Sequence, residues 1–494
     1  MRDLLKAIFK TGSGSAASLA LGMVAIKIMA VILGPSGVGL FSLLRQTQQT
    51  ALTIAVLNGQ MAVVQGVASR EEGTRAEYLA TVLWIVSVIG GSVSLAFVIF
   101  APQIARWVVS QDDAQTVLMI RWLSVTVLLG AAHTYLTSLL NGYRAIGRVA
   151  LVQVFNFGTM ALLAFPAAWL AKVGYPLAFT GLLTASALTA AGVSFWFAFR
   201  SGWLAWLWEG VRRRFSRTAA RHFFYLAGTM LITGFLGTWV PLAVRALVAR
   251  QFGLHGAGIF DVAWTLSMAY VTLILTSFST YYLPTLSQTV DPGARADLIR
   301  RVLRLAMLLM VPLVVTVITL KPLVVKLLYS GEFLPALHIM RWMLIGDYFK
   351  VVSWVFSFTM IAYADMKTLF WTEILWGGLT LGGTVLALRG FNSIQGIGFN
   401  FLALYVAYLA YTFFYVRHRH HLILNRLEVL QWLVGLVVVI GASVQTWNEM
   451  QVHWATAAVW ISIALGSSWI ALSNAERVKI SQMLSRRLKA RAYN

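Results

Sequence analysis

KIMAVILGPSGVGLFSLLRQTQQ, Lys27 to Gln49, is two apolar runs joined at a glycine-rich turn, GPSGVGLF, Gly34 to Phe41. Each run carries a cation, Lys27 before the turn and Arg45 after it. The turn recurs as GLHGAGIF, Gly253 to Phe260, so that Gly34, Gly37, Gly39 and Phe41 match Gly253, Gly256, Gly258 and Phe260 at one offset of 219. A second pair supports the duplication: LMIRWLSV around Arg121 and Trp122 matches HIMRWMLI around Arg341 and Trp342 at an offset of 220. Two alignments at nearly one spacing make the chain two related halves, each opening with a helical hairpin. Internal repeats of this kind recur in membrane transporters, with the bound molecule between the halves.

Composition agrees with a membrane setting. Of 494 residues 59% are hydrophobic and 11% charged, and the mean hydropathy is +0.76. A soluble fold cannot hide that much apolar surface, whereas lipid accepts it as solvent. The 39 Lys and Arg against 17 Asp and Glu leave +22. The basic residues fall mostly in short loops between apolar runs, which points to anionic phospholipid and to membrane orientation rather than to nucleic acid. With no cysteine, neither a disulfide framework nor a thiolate metal site is available. The opening MRDLLKAIFKTGSGSAASLALG resembles a signal peptide, but its apolar run continues to Leu33, too long for a cleaved segment, and is read as the first span.

Windows of about 20 apolar residues fit fourteen times, so the expected fold is all-α and polytopic. The spans are 11–33, 38–67, 78–100, 115–140, 148–170 and 176–199 in a first lobe over 1–199. A second lobe over 222–416 holds 222–247, 256–286, 302–320, 336–362, 368–388 and 396–416. A basic linker, 200–221, joins the lobes, and a final pair, 428–446 and 453–472, with a basic tail occupies 417–494. With the N-terminus inside, 27 Lys and Arg fall on the cytoplasmic side, 6 in outer loops and 6 within spans. Retention of Lys and Arg in the cytoplasm therefore predicts that both termini are cytoplasmic. The linker sets Arg212, Arg213, Arg214 and Arg217 beside Trp203, Trp206 and Trp208, the pattern of an amphipathic segment at headgroup level.

The six cations within spans are Lys27, Arg45, Arg121, Arg245, Arg341 and Lys350, against three acids, Asp261, Asp347 and Glu373. A charge at the bilayer centre costs about 2.5–3.5 kcal/mol, so these groups are expected to face protein or water. The positive surplus predicts an anionic ligand, and the arginine fork suits phosphate. Arg45 lies roughly 12 Å below the outer turn and Lys27 about 10 Å, by the helical rise. Arg245 precedes Gly253 by eight residues, at a depth near that of Lys27, and these three are expected to converge on one cavity. Arg45, Gln49 and Thr53 share a helix face at i, i+4 and i+8. That face either lines a wet cavity, where Gln49 binds sugar hydroxyls, or hydrogen-bonds neighbouring helices. Arg121 and Arg341, near the outer ends of their helices, either bind the same ligand or snorkel to the interface. Asp347 and Lys350, at i and i+3, form either a self-contained pair or a relay that protonation or a substrate phosphate opens. RHRHH, Arg417 to His421, lacks nearby carboxylates, which argues against a metal site, and no GxxxxGK[ST] loop for ATP occurs.

The opening hairpin with GPSGVGLF, and MLIGDYFKVVSWVFSFTMIAYAD in the tenth span, resemble the bacterial polysaccharide flippases of the O-antigen and enterobacterial-common-antigen type. These belong to the multidrug/oligosaccharidyl-lipid/polysaccharide exporter superfamily, and the resemblance covers the first twelve spans. It implies two six-helix lobes in a V with a central cationic cavity, in the bacterial inner membrane. The activity it implies is passage of an undecaprenyl-pyrophosphate-linked oligosaccharide from the inner to the outer leaflet by alternating access. Lys27, Arg45 and Arg245 then stand where related flippases use basic residues. A polysaccharide polymerase and a chain-length regulator are the protein partners implied. No cofactor is expected; an H+ or Na+ gradient or the membrane potential would drive the cycle. The alternatives are a flippase for peptidoglycan lipid II, a multidrug antiporter, which calls for an acidic cavity, and a membrane glycan polymerase or ligase, which calls for a large outer loop.

Overall fold

The computed structural model describes residues 2–70, 72–203 and 215–472, and among these every regular element is helical. Arg212, Arg213, Arg214, Trp206 and Trp208 of the linker and the basic tail from residue 473 lie outside the described residues.

In chain order the helices are α1 (Arg2–Ala55), α2 (Gln60–Ala68), α3 (Glu72–Ile99), α4 (Ala101–Val108), α5 (Ala114–Gly142), α6 (Ile146–Lys172) and α7 (Ala178–Arg200). They continue as α8 (Arg217–Gln288), α9 (Pro292–Leu328), a 3-10 turn (Gly331–Ala336), α10 (Leu337–Ala362), α11 (Met366–Phe391), α12 (Gln395–His420), α13 (Arg426–Gln445) and α14 (Trp454–Ala471). Eleven helices among the described residues are long and apolar enough to cross a bilayer. The helix α11, expected as a span, falls outside that set, because Trp, Thr and Gly make up much of it.

Both α1 and α8 are bent hairpins, and each bends at the glycine that opens its repeat. Gly34 has φ 62° and ψ −166°, Gly253 φ 68° and ψ −176°. That region is open in practice only to glycine, so the repeat in sequence is a repeat of one backbone conformation. The two turns also touch. A Cβ on Gly39 would lie 2.1 Å from the Leu254 carbonyl oxygen, and one on Gly258 would lie 1.9 Å from that of Pro35. Pro35 and Leu254 are themselves repeat-related, so the contact is reciprocal: a small residue of each hairpin admits the backbone of the other.

Packing divides the chain into two compact units. The first comprises Met1–Asp261, Leu328–Phe333 and Glu373–Leu381. Its core includes Phe41, Leu44, Tyr78, Leu123, Tyr135 and Phe223, each at most 4% exposed. The second comprises Val262–Leu327, Leu334–Thr372 and Gly382–Asn494. In it α10 is buried on nearly every face, including its charged residues Arg341, Asp347 and Lys350.

Candidate functional site

The polar second arm of α1 separates into two kinds of side chain. Gln46 donates Nε2–H to the Thr238 carbonyl at 2.8 Å, and Asn58 donates to the Met230 carbonyl at 2.7 Å. Gly234 leaves the room that Asn58 fills, since a Cβ there would meet its amide at 2.2 Å. These two amides, Gln46 on α1 and Asn58 in the turn after it, fasten this arm to α8, which is the interhelical role. Thr47, Thr50 and Thr53 donate their hydroxyls to carbonyls four residues back, at 2.7, 3.0 and 2.9 Å, and so need no partner on another helix.

Arg45 and Gln49 are different. Arg45 is half-buried, and its guanidinium lies 6.0 Å from the centre of the Phe41 ring. Among the described residues it makes no hydrogen bond or ion pair. Gln49, one turn further on the same face, is exposed, and its side-chain amide likewise has no protein partner among the described residues. A guanidinium and an amide thus stand together on one face of a membrane helix with their donors unspent.

The other cations expected to join them are committed elsewhere. Arg245 donates Nε–H and Nη2–H to Asp261 Oδ1 at 2.9 and 2.7 Å, and Nη1–H to the Pro241 carbonyl at 3.3 Å. Both side chains of this pair are 6% exposed or less. Arg245 lies eight residues before Gly253 and Asp261 eight after it, so the bend brings the two arms' charges to one level. The expected convergence of Lys27, Arg45 and Arg245 therefore loses Arg245 to an internal pair. Lys27, half-buried, donates Nζ–H to the Tyr329 carbonyl. That segment also covers the Gly34 turn, with Glu332 Oε2 only 2.6 Å from where a Gly34 Cβ would be.

Arg121 and Arg341 match in sequence but not in surroundings. Arg121 is exposed, in keeping with snorkelling. Arg341 is 7% exposed; it donates to Gln395 Oε1 at 2.6 Å and Asn448 Oδ1 at 3.4 Å, and its guanidinium covers Trp447 at 4.6 Å. Beside it Lys321, 1% exposed, donates to the Thr446 carbonyl at 2.7 Å and its hydroxyl at 3.2 Å. A cation against the carbonyl end of α13 offsets the helix dipole. Lys321 and Arg341 thus clamp the end of α13 and the turn after it to α9 and α10 within the second unit. Sequence reading missed Lys321 because it falls one residue past the end of its expected span.

Asp347 is fully enclosed. Ser267 donates to both of its carboxylate oxygens at 2.8 Å, Tyr270 donates a third bond, and Lys350 Nζ lies 3.9 Å away. Lys350, equally enclosed, is walled by Phe401 and Tyr405, each ring centre 5.3 Å from Nζ. The geometry is that of a self-contained pair. Glu373 of α11 is the remaining acid, half-buried, with no hydrogen bond or ion pair among the described residues. A Cβ on Gly377, one turn on, would be 3.3 Å from Val240, so this face of α11 lies on α8.

A model of the family described as polysaccharide biosynthesis protein matches residues 26–338. The chain belongs to that family. Among curated members' names, the Lipid III flippase of Escherichia coli strain K12 is 26% identical over 386 residues, which is 75% of this chain and 88% of the relative. The Lipid III flippase of Shigella flexneri matches to the same extent. Two solved structures show the same fold. One is the lipid II flippase MurJ in an inward closed conformation, at TM-score 0.67 and 12% identity, covering 97% of this chain and 99% of that one. The other is an inward-facing multidrug-resistance MATE transporter of the MOP superfamily, at TM-score 0.69 and 13% identity, covering 81% and 94%. This member of the polysaccharide biosynthesis family is thus a multi-pass membrane protein that shares its fold with the MurJ and MATE structures.

Proposed function

We propose that the protein is a flippase that carries a lipid-linked saccharide precursor from the cytoplasmic to the outer leaflet of the bacterial inner membrane. The observation that supports this most directly is Arg45: a half-buried guanidinium in a membrane helix whose donors no described residue takes up, beside the exposed amide of Gln49. Such a group suits a (pyro)phosphate, which accepts two parallel N–H bonds from the fork, while Gln49 suits a sugar hydroxyl. Lys27 adds positive charge on the preceding arm. Family membership supports the polysaccharide connection. The sequence relatives are named Lipid III flippases, which favours a precursor of that type over an O-antigen repeat unit as such; the likeness to the lipid II flippase structure, at 12% identity, supports the fold. The MATE likeness supports only the fold.

In this reading the diphosphate docks on Arg45, the prenyl chain remains in lipid, and rearrangement of the helices reverses access. A cationic site that returns empty moves charge through the membrane field, which supplies a driving force for the reset of about 2.3 kcal/mol per charge per 100 mV. The test is transport of a fluorescent lipid-linked saccharide in proteoliposomes. Arg45→Ala is expected to reduce the initial rate by about 10- to 100-fold, the worth of charge-assisted hydrogen bonds, with Arg45→Lys retaining part of it. Full activity of Arg45→Ala at normal membrane levels overturns the assignment.

A further inference from the structure

The turn between α5 and α6 opens on a cavity of about 680 Å³ that has no part in the site above. Its polar wall holds Tyr143, Arg144, Arg148 and Trp203, and its other side runs down α6 along Leu151 and Val154. The wall is built rather than incidental. Tyr143 and Trp203 stack with ring centres 4.2 Å apart and planes 16° from parallel. Arg148 lies 5.9 Å from the centre of the Trp203 ring and 5.7 Å from that of Phe197, and it donates to the Ser201 hydroxyl. Arg75 covers Tyr143 at 5.6 Å. Arg144 is held at the mouth by a left-handed backbone, φ 57°. It is exposed, and its guanidinium has no partner among the described residues. The first turn of α6 carries no side-chain cap, and the positive end of its dipole faces the same region.

Cations and stacked aromatics above, and a 47% exposed Leu151 below, match a molecule with an anionic head and an apolar tail. We propose that this cavity binds the phosphate headgroup of a membrane lipid, with Arg144 and Arg148 on the phosphate and an acyl or prenyl chain along Leu151 and Val154. Basic pockets at the ends of membrane helices recognise anionic lipid in this manner. The inference rests on the membrane setting of α5 and α6 and does not depend on the flippase reading. The phosphate has two sources, a bulk anionic phospholipid or a prenyl diphosphate.

Native mass spectrometry of the full chain, released from detergent with phosphatidylglycerol, undecaprenyl diphosphate or phosphatidylcholine, separates them. The comparison is with Arg144→Gly, which removes the charge at a position whose φ suits glycine. The wild type is expected to retain an anionic lipid over phosphatidylcholine, and Arg144→Gly to bind it about fivefold more weakly, the share of one cation near the surface. Preference for phosphatidylglycerol marks a resident phospholipid, and preference for undecaprenyl diphosphate marks a docking place for a substrate-like lipid; either supports the site. Equal retention of all three lipids, or unchanged binding by the variant, overturns it. Should Arg144→Gly fail to reach the membrane, Arg144→Asn, also at ease at positive φ, serves in its place. Transport assayed in parallel keeps loss of this site distinct from loss of Arg45.

Discussion

Arg45 and Arg245 each lie eight residues from a turn glycine, yet their chemistry differs because only one has a carboxylate at its level. Asp261 sits at the matching distance beyond Gly253 and takes two donors of Arg245; position 26, the repeat partner of Arg245, is an isoleucine. Arg245→Ala would leave Asp261 buried without its counter-charge, a loss of about 3–5 kcal/mol. The double variant Arg245→Met with Asp261→Leu is expected to regain most of that stability, read as the thermal midpoint of the detergent-purified protein. If the double variant is no more stable than the single one, the pair has a role beyond mutual neutralisation. Glu373 is the complementary case, an acid in the first unit with no polar partner among the described residues. If a proton gradient drives the cycle through this carboxyl, Glu373→Gln removes the dependence of transport on an imposed pH difference while leaving its dependence on voltage. An unchanged response to pH removes Glu373 from the coupling.

At the level of elements, the reciprocal glycine contact between the two hairpins leaves no space for a side chain. The atom that a Cβ on Gly39 would strike belongs to backbone, which cannot rotate aside. Gly39→Val is therefore expected to cost roughly 3 kcal/mol or more and to lower the amount of folded protein in the membrane. Gly91→Ala, where nothing lies within 4 Å, is the neutral control. The start of α11 offers a pH test. Asp365 accepts from Thr368 N at 3.2 Å, Thr368 Oγ1 at 2.9 Å and the Tyr415 hydroxyl at 2.9 Å. Burial alone would raise its carboxyl, but these bonds outweigh it and hold the group below the usual carboxylate range. A depressed folded value means that the cap stabilises above the unfolded carboxylate value, about 3.9, and that this share is lost as pH falls through the lower folded value. Asp365→Ala should cost about 1 kcal/mol at neutral pH, and the difference from wild type should shrink on acidification below about pH 4. A difference that stays constant to pH 3 would show that the carboxylate is not the stabilising form.

For the whole molecule, the absence of cysteine makes the natural chain its own background for labelling. Single replacements Asp112→Cys, in the α4–α5 loop, and Lys367→Cys, at the start of α11, should react from opposite sides of intact cells with a membrane-impermeant maleimide. The charge distribution predicts the first outside and the second inside; the reverse pattern would invert the topology.

Much of the helical plan was legible in the chain, because lipid imposes it: long apolar runs must be helices where no water satisfies the backbone, and GPSGVGLF with its repeat marks two bends that only glycine adopts. Polarity within the spans also singled out Arg45, Arg245, Asp347 and Lys350, whose surroundings then turn out to differ. What each does was decided by tertiary structure. Whether Gln46 and Gln49, three residues apart on one helix, fasten a neighbour or stand open depends on which side α8 packs. Whether Arg245 is a ligand or half of a pair depends on a bend that sets Asp261 beside it. Spacing along one helix fixes a side chain's direction, but its partner comes from another helix, and that relation exists only once the chain has folded.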